Sequence, residues 1–343
     1  MLRACKAALL GSLAVAAAHT AALADDYPTV NLKYGHLIAE NYYQAAADKY
    51  FAAELAKRSD GKITTTFFWQ ESIGTIKELL GLTAAGAVDI GGVITGYFPS
   101  DLAFTSMTNA LPMTFFDGRK VVEVTRELYK TNPSIVKELE AANLKPLIMR
   151  FLPNYRIICR EPIRTLADLK GKKILSYGQF VPVVFDAVGA LGVDAALSDT
   201  YEALQRGVID CGYMHSAGIE FRKWHEVAPY LSDIDFGVIN AYVVMMNLDR
   251  WKSFSPDVQA MIDEVALEAS NIAIGDMQAE DERARQAMLD NGATLVVFED
   301  KEAMAALVPD MIDRWVETMA KQGRGDEAKV LGDQARAALA TSQ

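Results

Sequence analysis

The sequence GAVDIG at residues 86–91 and the sequence GVIDCG at residues 207–212 share one pattern: a glycine, two apolar residues, an aspartate, an apolar residue and a second glycine. Each stretch follows a short predicted helix, and the two lie in separate α/β segments of the chain. Chance can produce one such match, but two similar lobes that present strand ends to a shared cleft explain it better. We expect Asp89 and Asp210 to accept hydrogen bonds from backbone amides at the strand ends.

The residues around the first repeat alternate between strand and helix patterns. The predicted elements are strands at 29–35, 62–69 and 88–94 and helices at 41–58 and 75–85, with Gly61 as the glycine that ends the first helix. Strands separated by helices at this spacing predict a parallel α/β unit.

The chain continues with predicted helices at 119–131 and 133–143 and strands at 146–151 and 155–160. The residues around the second repeat then predict a second α/β unit, with strands at 172–175 and 208–213 and helices at 181–191 and 200–206, and another buried strand is predicted at 240–246. Ser255-Pro256 then supplies an N-cap serine and a proline at the first helical position, and the helical pattern continues to Gly292. A helix of this length could run along both units and brace them.

The N-terminus resembles a secretory signal. Arg3 and Lys6 precede an apolar stretch at 7–18, and Ala22-Leu23-Ala24 supplies small residues where a signal peptidase cleaves. The apolar stretch is shorter than the roughly 20 residues that span a bilayer as a helix. We therefore predict a signal peptide at 1–24 and a soluble mature chain in the periplasm. A non-cleaved N-terminal anchor is the alternative.

Charge and size limit the possible functions. The chain has 34 Lys+Arg against 45 Asp+Glu, for a net charge of −11, and loss of residues 1–24 makes the remainder about −13. Binding of nucleic acid needs positive surface, so this balance argues against it. A chain of 343 residues also exceeds the size at which one hydrophobic core usually keeps growing, which predicts two domains.

Catalytic and metal-binding motifs are missing from the sequence. It has no Gly-x-Ser-x-Gly, P-loop, His-Glu-x-x-His or Cys-x-x-Cys motif, and His215 and His225 have no partner at metal-ligand spacing. We expect no enzyme activity, no cofactor and no metal. Cys159 and Cys211 could form a disulfide in an oxidising compartment, but two cysteines do not define a framework, so their pairing stays open.

The stretch from residue 154 to 214 resembles the DctP-type substrate-binding proteins of TRAP (tripartite ATP-independent periplasmic) transporters. The matching segments are Asn154-Tyr155-Arg156, PIRTLADLKGKK at 162–173 and DTYEALQRGVIDC at 199–211, with SDGKI at 59–63 and LPM at 111–113 in the first half. The resemblance implies a two-lobed α/β periplasmic-binding-protein-like fold with hinge strands and a long bracing helix. It places lobe I at 25–153 plus 242–281 and lobe II at 154–241 plus 282–343. The implied partners are a small-molecule ligand and the small and large membrane subunits of a TRAP transporter.

The chain departs from this family where the family holds an acid group. Leu175 stands where carboxylate-binding members usually carry an arginine, and Met214 stands where the family has an asparagine. Arg156 alone remains of the two usual arginines, and its planar fork suits a carboxylate. Polar contacts of the sialic-acid-binding members fall on Ile94, on Tyr97 and near residue 76. A pocket with such apolar walls should reject sugar acids and dicarboxylates.

Aromatic side chains gather near the expected cleft and suit a flat or apolar ligand, or a cation over ring faces. The predicted site residues are Arg156, Leu175, Tyr177, Met214, Tyr213, His36, Tyr97, Ile94, Phe180 and Trp69. We expect an aromatic or otherwise apolar monocarboxylate with Arg156 on its acid group. A neutral or cationic aromatic solute is the second candidate. Alternatively, Arg156 pairs with a carboxylate of a lobe, and Leu175 and Met214 pack in the core.

Lobe closure over the ligand is the predicted mechanism, because a ligand shifts the equilibrium between open and closed forms by its differential affinity for them. Delivery to transporter membrane subunits would follow. The alternative from a different functional class is a periplasmic sensor that uses the same fold to bind a ligand for signalling.

Overall fold

The computed structural model describes residues 27–340 as a mixed α/β protein with two sheets. The predicted signal peptide at 1–24 lies outside the described residues. Among the described helices, none combines the length and the apolar character that crossing a membrane requires.

Eleven strands are assigned within residues 27–340. They are β1 (Val30–Gly35), β2 (Ile63–Phe68), β3 (Ile90–Val93), β4 (Leu144–Leu152), β5 (Tyr155–Cys159), β6 (Lys173–Ser176), β7 (Leu191–Asp194), β8 (Cys211–His215), β9 (Tyr230–Ser232), β10 (Ile239–Asn247) and β11 (Thr294–Val296).

Fourteen α-helices are assigned over the same residues. They are α1 (Ala45–Arg58), α2 (Leu79–Ala84), α3 (Met107–Ala110), α4 (Gly118–Thr131), α5 (Pro133–Ala141), α6 (Leu166–Leu169), α7 (Val181–Ala187), α8 (Thr200–Arg206), α9 (Ser216–Phe221), α10 (Leu248–Lys252), α11 (Pro256–Asp290), α12 (Lys301–Leu307), α13 (Met311–Lys321) and α14 (Gly325–Ala340).

Each sheet is the centre of one lobe. The first has the order β2-β1-β3-β10-β4 and the second has the order β11-β9-β5-β8-β6-β7. Strands β1, β2 and β3 are parallel, as predicted, and β10 runs antiparallel to both β3 and β4. In the second sheet β6, β7 and β8 are parallel, and β5 is antiparallel to β8. The predicted two-lobed α/β fold is confirmed.

The repeated aspartates have the same structural role in both lobes. The carboxylate of Asp89 accepts a hydrogen bond of 2.8 Å from the backbone amide of Lys33, and the amide of Asp89 donates to the carbonyl of Lys33. Asp210 makes the same two contacts with Lys173, also with 2.8 Å to the carboxylate. Each aspartate therefore links the start of one central strand to its parallel neighbour.

Strand β8 begins at Cys211, three residues later than the sequence predicts. The amides of Val208 and Ile209 donate to the carbonyl of Ala203, so these residues belong to a turn after α8. Gly207 makes this turn with a left-handed φ of 70°. Because apolar residues fill both the turn and the strand, their pattern does not mark the boundary.

The predicted helix at 181–191 is wrong at its C-terminal end. Helix α7 stops at Ala187 because Gly189 takes a φ of 76°, and strand β7 begins at Leu191. Pairing of β7 with β6 is a tertiary contact, so Leu191, which the sequence predicts as the last residue of the helix, begins a strand instead.

The chain crosses between the lobes at two points that lie side by side. The first connects β4 to β5, and the second connects β9 to β10. The Tyr155 amide donates to the Gly237 carbonyl at 2.9 Å, and Asn154 Nδ2 donates to Asp235 Oδ2 at 2.6 Å. Gly237 has a φ of 86°, and a Cβ there would lie 2.5 Å from the Phe115 carbonyl oxygen, so only glycine fits this position. These crossings form the hinge strands.

Helix α11 braces both lobes, as predicted. It spans 35 residues, and the hydroxyl of Ser255 accepts the hydrogen bond that caps its first turn. The helix packs against α1 and β4 in the first lobe and against α9 in the second.

The C-terminal helices reach back to the first lobe. Helix α14 packs against α4, and Asn132 Nδ2 donates to Gln334 Oε1 at 2.7 Å. The ring of Trp315 contacts the edge of Phe104 at a centroid distance of 6.1 Å. These contacts cross the division that the sequence predicts, in which residues 282–343 belong to lobe II. That division stays a prediction.

A disulfide joins the central strands of the second sheet. Cys159 and Cys211 are direct cross-strand partners of β5 and β8, and the bond closes a sequence separation of 52 residues. The sequence left this pairing open, because cross-strand register is not visible in local patterns.

Candidate functional site

The candidate site lies where the two lobes join. The crossing from β4 leaves the first sheet at the carboxyl ends of its parallel strands and enters the second sheet beside the carboxyl ends of β6 and β8. Open α/β sheets bind ligands in the crevice outside the carboxyl ends of their strands. The side chains that end these strands are therefore the candidates for solute contact.

In the first lobe, His36 follows β1 and belongs to a buried ionic cluster of His36, Asp48, Arg150 and Tyr34. His36 Nε2 lies 2.9 Å from Asp48 Oδ2, and Arg150 Nη2 donates to Asp48 Oδ1 at 2.6 Å. The hydroxyl of Tyr34 also donates to Asp48. Burial would raise the pKa of Asp48, but Arg150 and the hydrogen bonds from His36 and Tyr34 lower it to about 2. Asp48 is therefore a buried carboxylate.

Arg150 is fully buried and only partly satisfied. Its Nε and Nη1 have no hydrogen-bond partner among the described residues, and its guanidinium carbon lies 4.5 Å from the ring centroid of Tyr242. Asp48 and the face of Tyr242 thus compensate for the loss of water around this charge.

Trp69, Ile94 and Tyr97 form the outer part of this lobe's strand ends. The ring of Trp69 lies 4.7 Å from that of His36 and lines a surface hollow of about 490 Å³ with Glu40 and Lys49. Tyr97 is 56% exposed, and Ile94 is partly buried. The structure thus brings four predicted site residues to the carboxyl ends of the strands of the first lobe.

In the second lobe, Tyr155, Tyr177 and Tyr213 form a tyrosine cluster. The ring centroids of Tyr155 and Tyr213 are 5.0 Å apart, those of Tyr177 and Tyr213 are 5.6 Å apart, and those of Tyr155 and Tyr177 are 6.3 Å apart. Phe185 and Phe236 pack edge-on against Tyr213 from behind. Tyr155 and Tyr213 are 5% and 3% exposed, so these two rings are packed in the core, and Tyr177 is the partly exposed member of the cluster.

The phenols of this cluster are neutral. Burial raises the pKa of Tyr155 to about 12 and raises those of Tyr177 and Tyr213 well above the usual value. The Tyr177 hydroxyl is buried, and its contact with the Tyr155 hydroxyl adds to the effect of burial in raising the pKa of Tyr177.

Arg156 lies on the other face of the sheet from the tyrosine cluster. Strand β5 pairs Tyr155 with His215 and Arg156 with Met214, and side chains alternate between faces along a strand. The side chain of Met214 packs below Gly218 of α9, and the charge of Arg156 acts on Asp281 of α11. Arg156 is partly buried, and its Nε has no hydrogen-bond partner among the described residues.

Two further predicted residues are buried. Leu175 is 0% exposed in β6, and Phe180 is 6% exposed before α7. Met214 is likewise buried. The position of the family's usual arginine is thus occupied by a side chain that packs in the core of the second lobe.

His215, which sequence reasoning did not select, ends β8 beside the tyrosine cluster. Its Nδ1 accepts the 3.2 Å hydrogen bond from the Gly218 amide that caps α9, and its ring lies 5.8 Å edge-on from Tyr155. Burial lowers the pKa of His215 to about 4, and the nearby charge of Arg222 contributes. His215 is therefore neutral at pH 7.

The free energy of unfolding is expected to fall by up to about 3 kcal/mol between pH 6.5 and pH 4 because of His215. Its folded pKa of about 4 lies below the unfolded value, so in this range the unfolded chain binds a proton that the folded chain does not. Urea unfolding at pH 7 and pH 4.5 measures the effect. His215→Gln should remove this part of the pH dependence. An unchanged pH dependence in the variant would show that His215 is not its source.

Arg222 is a second residue that sequence reasoning missed. It ends α9, it is half-buried, and its Nη1 donates to the Gly218 carbonyl at 3.3 Å. No motif marked this position, since only the fold of α9 brings it near β5 and β8.

The described part of the chain, residues 27–340, contains no group of three or more His, Cys, Asp or Glu side chains placed to hold a metal ion.

Comparison with known proteins agrees with this architecture. The model of the bacterial extracellular solute-binding proteins, family 7 (DctP), matches residues 34–322. The C4-dicarboxylate-binding periplasmic protein DctP of Rhodobacter capsulatus is 25% identical over 292 residues, which cover 84% of this chain and 85% of that protein.

Solved structures of TRAP solute-binding proteins show the same fold. One from Rhodoferax ferrireducens, in complex with copurified benzoate, has a TM-score of 0.74 at 22% identity and covers 91% of this chain and 98% of that chain. One from Roseobacter denitrificans, with bound β-D-glucuronate, has a TM-score of 0.71 at 19% identity and covers 90% and 99%.

Proposed function

This chain belongs to the bacterial extracellular solute-binding proteins of family 7, the DctP family, and we propose that the solute it captures is an aromatic or otherwise apolar monocarboxylate. Its relatives in solved structures are TRAP periplasmic solute-binding proteins, which work with membrane subunits. We propose delivery to one small and one large membrane subunit, from the periplasm, after removal of the predicted signal peptide.

The observation that carries the solute class is the tyrosine cluster. Three phenol rings lie within 5.0 to 6.3 Å of one another at the end of the second sheet, and Tyr177 is the one that is only partly buried. Aromatic pairs gain about 0.5–1.5 kcal/mol beyond the burial of their area, so a flat ring would bind here favourably.

Buried apolar residues at the family's polar positions support the same choice. Leu175 and Met214 cannot donate to an acid or a hydroxyl group. Each solute polar group left without a partner would cost about 1–3 kcal/mol, and a sugar acid or a dicarboxylate carries several such groups.

The first lobe would complete the site with the ends of its parallel strands. His36, Trp69, Ile94 and Tyr97 lie at these ends, and the hinge crossings would let them close on the tyrosine cluster. Arg156 remains the residue that the sequence predicts as the partner of the solute's carboxylate. Closure would exclude water and stabilise the closed form.

The structural neighbours support more than one solute class. The Rhodoferax ferrireducens protein holds benzoate and the Roseobacter denitrificans protein holds β-D-glucuronate. We favour the benzoate-like class because of the tyrosine cluster. A cationic aromatic solute is disfavoured by Arg222, whose positive charge acts on the phenols of Tyr155 and Tyr177.

A thermal-shift screen tests the proposal. Benzoate, phenylacetate, a medium-chain fatty acid, succinate, D-glucuronate and benzamide would each be added to the purified protein. We expect the first three to raise the melting temperature, because a ligand that binds the folded state stabilises it by RT ln(1 + [L]/Kd). Stabilisation by succinate or D-glucuronate and by no apolar acid would contradict the proposal.

A further inference from the structure

A hollow of about 490 Å³ opens beside the ends of β1 and β2 in the first lobe. Its walls come from the segments that follow these two strands and from the N-terminal half of α1. Backbone hydrogen bonds of 2.9 Å join the two segments, one from the Gln70 amide to the Ile38 carbonyl and one from the Glu71 amide to the His36 carbonyl. The lining residues are Ala39, Glu40, Asn41, Lys49, Trp69 and Gln70. The hollow is thus built at the strand ends where open α/β sheets bind their ligands.

Trp69 gives the hollow a flat and rigid wall. Its ring stacks on that of Phe67, with centroids 4.4 Å apart and planes inclined by 13°, and the ring of His36 lies 4.7 Å away. His36 is itself fixed, because its Nδ1 accepts from the Ile38 amide at 3.2 Å and its Nε2 lies 2.9 Å from Asp48 Oδ2. The indole is partly buried and is supported by these neighbours. Such a surface suits a planar apolar group.

Lys49 brings a positive charge to this wall. Its Nζ lies 5.8 Å from the centroid of the Trp69 ring and 3.4 Å from Glu40 Oε1. The side chains of Lys49 and Glu40 are 47% and 65% exposed, and an ion pair so exposed is weak because water and salt screen it. A carboxylate of a solute can therefore replace Glu40 at the ammonium group. His36 does not compete for this role, since both of its ring nitrogens have partners within the lobe.

We propose that Lys49 binds the carboxylate of the solute while Trp69 holds its apolar part. The inference rests on the proposed function and gives Lys49 the role that the sequence predicts for Arg156. An ammonium group donates charge-assisted hydrogen bonds to a carboxylate, and these strengthen when lobe closure excludes water. Glu40 would lie beside the bound acid group and repel a second carboxylate on the solute. The arrangement therefore selects a monocarboxylate.

Calorimetric titration of Lys49→Met with benzoate and with benzamide tests this assignment. We expect the variant to lose benzoate affinity by roughly tenfold, because a charge-assisted contact to the carboxylate is removed. Benzamide has the same ring without the charge, so its affinity should change by less than about threefold. Glu40→Gln removes the competing carboxylate and should raise benzoate affinity by about two- to fivefold.

Lys57→Met is the matched control. It removes a lysine from the same helix, where the side chain is 75% exposed and lies 3.1 Å from Glu54. Benzoate affinity should stay within about twofold of the wild type in this variant, since exposed charges are screened by salt. Equal losses in Lys49→Met and Lys57→Met would reduce the effect to the net charge of the lobe and overturn the inference.

Trp69→Phe tests where the ring of the solute binds. The chain has four tryptophans, and the other three, Trp224, Trp251 and Trp315, are buried. Benzoate should therefore change the intrinsic fluorescence of the wild type through Trp69. In Trp69→Phe a flat side chain remains, so calorimetry should still detect binding within about fivefold of the wild type while the fluorescence change is lost. A fluorescence change of wild-type size in this variant would overturn the inference.

Arg156→Gln separates the inference from the proposed function. If this variant loses benzoate and Lys49→Met binds it like the wild type, the inference is overturned while the proposed function stands. If the wild type binds none of the monocarboxylates, the proposed function and the inference fall together. Melting temperatures near the wild-type value would show that the variants are folded, and loss of benzoate alone in folded Lys49→Met supports the inference.

Discussion

Asp48→Ala is expected to lower the free energy of unfolding of the first lobe by about 3–5 kcal/mol. The Asp48 carboxylate is 0% exposed, and it is the ion-pair partner of Arg150, which is buried to the same degree. Removal of Asp48 leaves the guanidinium buried without an anion and also takes the partner of His36 and Tyr34. Urea unfolding at pH 7 measures the change.

Asp263→Ala is the control for this prediction. Asp263 also pairs with a cation, since Lys145 Nζ lies 3.0 Å from its Oδ1, but the Asp263 side chain is 46% exposed. An exposed pair of this kind contributes at most about 1 kcal/mol. A similar loss of stability in Asp48→Ala and Asp263→Ala would contradict a special role for burial. In Asp48→Ala/Arg150→Met the loss should be smaller than in Asp48→Ala, because the stranded charge is gone.

Loss of the disulfide is expected to lower the stability of the second lobe by about 4 kcal/mol. The bond between Cys159 and Cys211 closes a separation of 52 residues, and a cross-link of this length removes much conformational freedom from the unfolded chain. Cys159→Ala/Cys211→Ala removes the bond and leaves no free thiol at either position. Melting temperatures of the wild type and the variant measure the effect.

A reducing agent provides the control for the disulfide. Dithiothreitol should lower the melting temperature of the wild type toward that of the double variant and leave the double variant unchanged. If the double variant melts at the same temperature as the oxidised wild type, the stabilising role of the bond is refuted.

Local signals in the sequence determined much of the fold. Ser255-Pro256 marked the start of α11, and the glycine-aspartate repeat indicated two related lobes. Asp89 and Asp210 make the predicted backbone contacts because their partners lie on the neighbouring parallel strand in each lobe. Such features can be predicted from the sequence because a helix cap, or an aspartate at the start of a strand, hydrogen-bonds to backbone amides. The repeating α/β pattern places those amides nearby.

The candidate site was only partly predictable. The sequence predicts Tyr177 and Tyr213 as aromatic site residues and Arg156 as the acid partner, and these roles stay predictions, but it did not show that Arg156 and Tyr213 lie on opposite faces of one sheet. It also did not select His215 or Arg222. A shift of one residue along a strand exchanges the two faces, and the register that decides between them is set by pairing with a distant strand.

The sequence by itself thus determined the family, the two lobes and the bracing helix, because these depend on periodicity, caps and motifs within short stretches of chain. Only the tertiary structure decided the disulfide, the buried pair of Asp48 and Arg150 and the cluster of Tyr155, Tyr177 and Tyr213. Asp48 and Arg150 are 102 positions apart, and their attraction is strong only after folding has excluded water from around both.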